Sequence, residues 1–105
     1  MGNRLSKIYT RTGDAGTTGL GTGERVDKDC LRIEAIGEVD ELNCMIGRVL
    51  AHDLREAMRS CLQEVQHKLF NLGGELSIPG YQAVQPADVE GLEAALNEFN
   101  AQLPP

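Results

Sequence analysis

The sequence predicts an all-α fold, a helical bundle preceded by a glycine-rich loop. Three observations carry this. Beyond residue 30, apolar residues recur at helical spacing in three successive segments. Aromatic residues are scarce, two Tyr and two Phe with no Trp, which is thin for a β-sandwich core and adequate for a bundle of Leu, Val and Ala. Hydrophobic residues make up 41% and charged residues 25% of the 105 residues, an ordinary composition for one folded domain.

The chain divides near residue 30. Residues 1–30 hold six of the twelve glycines, with Thr10, Thr12, Thr17, Thr18 and Thr22 among them. Glycine favours irregular backbone and threonine resists helix. A short extended piece is expected at residues 7–10, starting at Lys7, and an ordered or ligand-ordered loop over the rest.

Residues 31–105 read as helices. The first, over 31–51, places Val39, Leu42, Ile46, Val49 and Leu50 on an apolar stripe. A second stripe of Ile36, Asp40, Asn43 and Gly47 implies another packing face, and hence self-association or further helices. Asn43→Leu or Gly47→Leu is expected to disturb that further contact. The second helix, over 54–76, aligns Leu54, Met58, Cys61, Leu62, Val65, Leu69, Leu72 and Leu76. Asp53 and Glu56 suggest a capping box at its start. Gly73-Gly74 weakens its end and Pro79-Gly80 stops it. The third helix, over 87–101, carries Val89, Leu92, Leu96 and Phe99, with Pro86 suited to its first turn.

Charge narrows the function classes. Ten basic against sixteen acidic residues leave a net charge of −6, which argues against a nucleic-acid partner. The charge is uneven: residues 1–30 hold five basic and four acidic residues, and the remainder five and twelve. An anion should therefore bind in the N-terminal segment. Cys30, Cys44 and Cys61 form no CxxC pair, which argues against a disulfide framework or a cysteine zinc site. They read as small core residues. No apolar run suits a transmembrane span and no secretory leader is visible, so no membrane role and a cytoplasmic location are expected.

The candidate site is Thr10-Arg11-Thr12-Gly13-Asp14-Ala15-Gly16-Thr17-Thr18-Gly19. Glycines let backbone N–H groups converge on an anion, threonine hydroxyls add donors, and Arg11 adds a forked cation. Lys28 lies beyond the loop, where it can close over a polyphosphate. The pattern is neither a Walker A loop nor a dinucleotide fingerprint, since no GxxxxGK[ST] occurs and Gly19-Leu20-Gly21-Thr22-Gly23 opens no helix. Composition alone leaves a phosphate site and a flexible linker both open.

Residues 7–18, then Gly23-Glu24-Arg25 and Lys28, then Gly37-Glu38-Val39-Asp40-Glu41-Leu42-Asn43, resemble the PduO-type ATP:cob(I)alamin adenosyltransferases. Residues 66–76 also resemble that family's second long helix. The resemblance implies a five-helix bundle, of which this chain holds the first three helices, assembled as a homotrimer with ATP between subunits. It implies transfer of the 5′-deoxyadenosyl group of ATP to the cobalt of cob(I)alamin, with release of triphosphate, and a glycine-rich segment (1–30) that wraps the triphosphate with Mg²⁺. Thr10, Arg11, Thr12, Gly13, Thr18, Gly19 and Lys28 match ATP-contacting positions, Thr17 belongs with them, and Asp14 and Gly16 shape the loop. Asp40 matches an aspartate that pairs with an arginine of a neighbouring subunit near the corrinoid; apart from the resemblance it reads as a solvated helix carboxylate.

Family members are considerably longer, so an N-terminal portion is expected, with little transfer activity by itself. The alternatives are a non-enzymatic helical interaction module behind a flexible linker, and a truncated homologue that only binds ATP. No protein-held metal is expected. His52 reads as a helix-end cation, His67 as a surface or interface residue, and the acidic residues of 88–98 as a solvated face.

Overall fold

The computed structural model describes residue 6 and residues 8–105. Five elements follow in order: β1 (Thr17–Gly19), β2 (Arg25–Asp27), α1 (Leu31–Leu50), α2 (Glu56–Ser77) and α3 (Pro86–Asn100). The three helices lie where the apolar periodicity places them, and the all-α reading holds with one addition. The addition is an antiparallel hairpin, with Thr17 opposite Asp27, Thr18 opposite Val26 and Gly19 opposite Arg25. Strands of three residues are too short to show alternation, so the hairpin is invisible to periodicity. The extended piece expected at 7–10 is not a strand over Ile8–Thr10, and Lys7 lies outside the described residues.

Helix ends show why the boundaries fall where they do. Glu34 in the first turn and Arg48 in the last turn of α1 suit its dipole. Arg59 of α2 donates to the carbonyls of Leu50 and His52, both at 2.8 Å, and so caps α1 from across the turn. The capping box expected at Asp53 does not form: the N-cap of α2 is Arg55, with no side-chain cap. A capping box does form on α3, where Asp88 accepts the Gln85 N–H at 2.8 Å and Pro86 takes the first position. Asp88 is thus not simply a solvated carboxylate. It also pairs with Lys68 of α2 at 2.8 Å. The Gln85 N–H and then Lys68 hold the Asp88 carboxyl below its usual range, and Asp88 in turn raises the Lys68 ammonium above its own.

The α1–α2 contact draws on both expected stripes of α1, with Val39, Ile46 and Leu50 from the first and Ile36, Asn43 and Gly47 from the second. Ile36, Val39, Asn43, Ile46, Gly47 and Leu50 are partly buried, whereas Leu42, Met45 and Val49 are about half exposed. Gln66 donates to the Asn43 carbonyl at 3.2 Å, and a Cβ at Gly47 would lie 3.5 Å from the Gln66 amide nitrogen. Asn43 and Gly47 therefore face α2 within the chain. Substituting either therefore tests the helix pair. The Asn43 Oδ1 is buried there without a partner among the described residues.

The predicted stripe of α2 is partly buried from Met58 to Leu76, and Leu54, which precedes the helix, is partly buried with it. On α3 only Phe99 is, while Val89, Leu92 and Leu96 are 53%, 52% and 66% exposed. An apolar groove of about 310 Å³ separates α2 from α3, with Val65, Leu69, Leu72 and Leu92 in its walls. No described residue is fully buried. Cys30 and Cys61 are partly buried and Cys44 is exposed, so the core reading fails for Cys44.

Candidate functional site

The candidate site is built by backbone conformation more than by packing. Arg11, Gly13 and Gly16 have φ of 61°, 114° and 99°. These left-handed residues reverse the chain twice within six positions. The turns are closed by the Asp14 N–H to the Arg11 carbonyl (3.3 Å) and the Gly16 N–H to the Gly13 carbonyl (3.0 Å). The Thr12 N–H bonds the Thr10 hydroxyl at 3.3 Å. Arg11 is the one non-glycine with positive φ among the described residues, and its guanidinium lies 5.4 Å from the centre of the Tyr9 ring. A bulky residue in this conformation carries a strain that marks functional loops.

The hairpin brings the two ends of the candidate motif together. The Lys28 N–H donates to the Gly16 carbonyl at 2.9 Å. A Cβ at Gly13 would lie 2.7 Å from the Thr17 carbonyl oxygen, 3.3 Å from the Lys28 Cε and 3.4 Å from its Nζ. So Gly13, Thr17 and the Lys28 ammonium meet at one point, and only glycine leaves room there. Thr17 and Thr18 are partly buried in the hairpin, while Thr10, Arg11, Thr12, Asp14, Gly16, Gly19 and Lys28 are exposed. Asp40 is exposed on α1 and makes no ion pair among the described residues. No hydrogen bond or ion pair among the described residues joins it to the loop.

Two residues that the sequence reading named without a role also contribute. Arg25 donates to the Thr17 carbonyl at 3.0 Å and hydroxyl at 3.1 Å, bracing β1 from β2. Their separation in sequence is a hairpin's, but Gly19-Leu20-Gly21-Thr22-Gly23 reads as loop unless its turn chemistry is recognised. Gly23, with φ of 88°, supplies the left-handed residue of that turn, and the Leu20 N–H bonds the Glu24 carbonyl at 2.8 Å. The second contributor is Gly21, whose N–H bonds the Ser77 carbonyl at the end of α2 at 2.7 Å.

Over the described residues the segment is therefore a folded structure, closed by turns and a hairpin, which does not fit a flexible linker. No three His, Cys, Asp or Glu among the described residues stand close enough to hold a metal ion. No described helix is long and apolar enough to cross a membrane.

Comparison with known proteins agrees with the motif. The family profile described as Cobalamin adenosyltransferase matches residues 8–105. A cobalamin adenosyltransferase of Cupriavidus metallidurans is 61% identical over 105 residues, covering 99% of this chain and 57% of the relative. A corrinoid adenosyltransferase of Bacillus subtilis is 41% identical, covering 93% of this chain and 54% of the relative. Among solved structures, a variant PduO-type ATP:corrinoid adenosyltransferase from Lactobacillus reuteri, complexed with cobalamin and ATP, superposes with a TM-score of 0.85 at 29% identity, over 94% of this chain and 59% of that one. The chain thus spans a little over half the length of these relatives. With the family profile running from the strained loop through all three helices, the chain belongs to the cobalamin adenosyltransferase family.

Proposed function

We propose that this chain carries the nucleotide-holding portion of an ATP:cob(I)alamin adenosyltransferase. In that reaction the electron pair on Co(I) attacks the 5′ carbon of ATP. A cobalt–carbon bond forms as the bond from C5′ to the triphosphate oxygen breaks, and triphosphate leaves with the electron pair. The corrinoid substrate supplies the nucleophile, so the protein needs no general base. Its tasks are to align the two substrates and to stabilise charge on the leaving group.

The observation that carries this reading is the meeting of Gly13, Thr17 and the Lys28 ammonium. Lys28 and Arg11 supply charge to the triphosphate, and Thr10, Thr12, Thr17 and Thr18 supply hydroxyl or amide donors. Gly13 and Gly19 permit close approach, while Asp14 and Gly16 shape the turn. Mg²⁺ fits as an ion carried by the phosphates, since it prefers phosphate oxygens, water and one or two carboxylates to a protein cage. Asp14 is the carboxylate within the loop. Residues 1–30 form the nucleotide segment and 31–105 the helical support. The relative solved with cobalamin and ATP supports both substrates.

The same reading makes the protein a cytoplasmic homotrimer with ATP between subunits, and turns Asp40 towards an arginine of a neighbouring copy near the corrinoid. Its exposure on α1 supports this. The test is titration with Mg·ATP and assay with chemically reduced cobalamin. Lys28→Ala should weaken ATP binding by roughly 1.5–3 kcal/mol, the worth of a charge-assisted phosphate contact. Unchanged affinity removes Lys28 from the site, and a monomer at all concentrations in sedimentation removes the trimer.

A further inference from the structure

Among the described residues, the backbone hydrogen bond that joins the nucleotide segment to the helical body, apart from the junction at residue 30, is made by a glycine outside the proposed phosphate contacts. At the tip of the hairpin the Gly21 N–H donates to the Ser77 carbonyl at 2.7 Å, and Arg32 of α1 donates to the neighbouring Leu76 carbonyl at 2.7 Å. These are terminal carbonyls of α2, which no later turn of the helix can satisfy. They also form the negative end of its dipole, and a peptide N–H and a guanidinium complement it. A Cβ at Gly21 would lie 2.6 Å from the Ile78 Cγ1 and 3.2 Å from the Ser77 oxygen. The obstacle is stiff, because Cγ1 of a β-branched side chain moves only with χ1. Gly21 does not have the left-handed φ of Gly13, Gly16 and Gly23, so glycine is required there for space alone.

We infer that Gly21 is a positioning residue for the nucleotide: its contact with the C-terminal carbonyl of α2 fixes the hairpin, and through it the loop of residues 11–19, relative to the bundle. This rests on the functional reading above. A loop that is strained and exposed gains from being held in its binding geometry before the ligand arrives, and a displacement of about 1 Å at such a site is felt in affinity.

The test uses Gly21→Ala in the intact protein, with Mg·ATP and reduced cobalamin as probes. The expected result is a rise of about tenfold in the Kd and KM for ATP, with the KM for the corrinoid and the urea midpoint unchanged. Amide exchange across residues 20–24 should quicken. Because the obstacle is a side chain, Gly21→Ala combined with Ile78→Ala should recover most of the affinity. Parental ATP affinity in Gly21→Ala overturns the inference. So does a double variant no tighter than the single one, or a parallel rise in both KM values, which would mark a general structural loss. If the parent itself fails to bind Mg·ATP, the functional reading falls and the positioning role with it. The parent's own titration separates that outcome from the others.

Discussion

From Thr10 to Lys28 the chain is held by individual hydrogen bonds and by left-handed backbone; between α1 and α2 it is held by a shared apolar stripe. In the first region Gly13 leaves room for Thr17 and Lys28, Arg25 braces Thr17, and Gly21 meets Ser77. In the second, Ile36, Val39, Ile46 and Leu50 share the burial along α1 with the long stripe of α2. Distributed packing tolerates loss of one group, because many weak contacts remain. A backbone held at single points does not, because each contact has no substitute. The difference places the sensitivity to single atoms in the proposed nucleotide segment, and the bulk of the stability in the helix pair.

The sharpest way to break this contrast is Gly13→Val. The substitution places a β-branched residue at φ of 114° and a Cβ against the Thr17 carbonyl. Strain and overlap together should cost about 3 kcal/mol, read as lost ATP affinity by calorimetry, with the helical circular dichroism preserved. Loss of the helices as well would mean that the two regions fold as one unit.

Arg11 sharpens the comparison further, because its charge and its conformation can be separated. Arg11→Ala keeps the unfavourable φ and removes the guanidinium, while Arg11→Gly removes both. Both should weaken ATP binding by about 2 kcal/mol, and folding little, if the charge is what matters. An Arg11→Gly variant that binds like the parent would show that the residue serves the turn alone.

Gly47→Leu probes the other region. It adds bulk against Gln66 in the α1–α2 face, and overpacking there should lower stability by about 1–2 kcal/mol in urea denaturation. An unchanged midpoint would show that α1 and α2 separate easily at this level.

The smallest effect is expected from the Lys68–Asp88 pair, which is close to solvent. The folded Asp88 carboxyl lies below the ordinary aspartate value, so its contribution is present above that value and is lost as pH falls through the lower folded one. The Lys68 ammonium lies above 10.5, so its contribution is present below that pH and is lost as pH rises through the higher folded value. After allowance for the intrinsic exchange rate at each pH, amide protection in α3 should fall on acidification in the parent, and Asp88→Asn should flatten that dependence. A parental pH profile in Asp88→Asn would exclude the pair as the link between α2 and α3.

Much of this molecule could be read from residue order alone. Three helices follow from apolar spacing, because a helix face is a local property of residues three and four apart. The stop after Ser77 follows from Pro79, because Ile78 before it is pushed to extended backbone, its observed conformation. The candidate phosphate loop follows from glycines and threonines around a cation, because backbone freedom and donors are set by residue type.

What the order of residues left open depends on distant partners. Leu42 and Val49 are as apolar as Val39 and Ile46, so only the neighbouring helix selects which stripe of α1 is covered. Asp53 is a plausible cap from its neighbours and forms none, whereas Asp88, which reads as a solvated carboxylate, accepts the Gln85 N–H and meets a second partner, Lys68, from another helix. The hairpin shows the same rule most plainly. Its strands have three residues each, too few to be stable on local preference, and the contact at Gly21 that fixes them comes from a carbonyl fifty-six positions away, at Ser77. Local conformation was determined by the sequence itself. The choice among equally good faces, and the placing of a glycine-rich segment with few apolar groups, was decided only when the ends of α1 and α2 came together and offered it a surface.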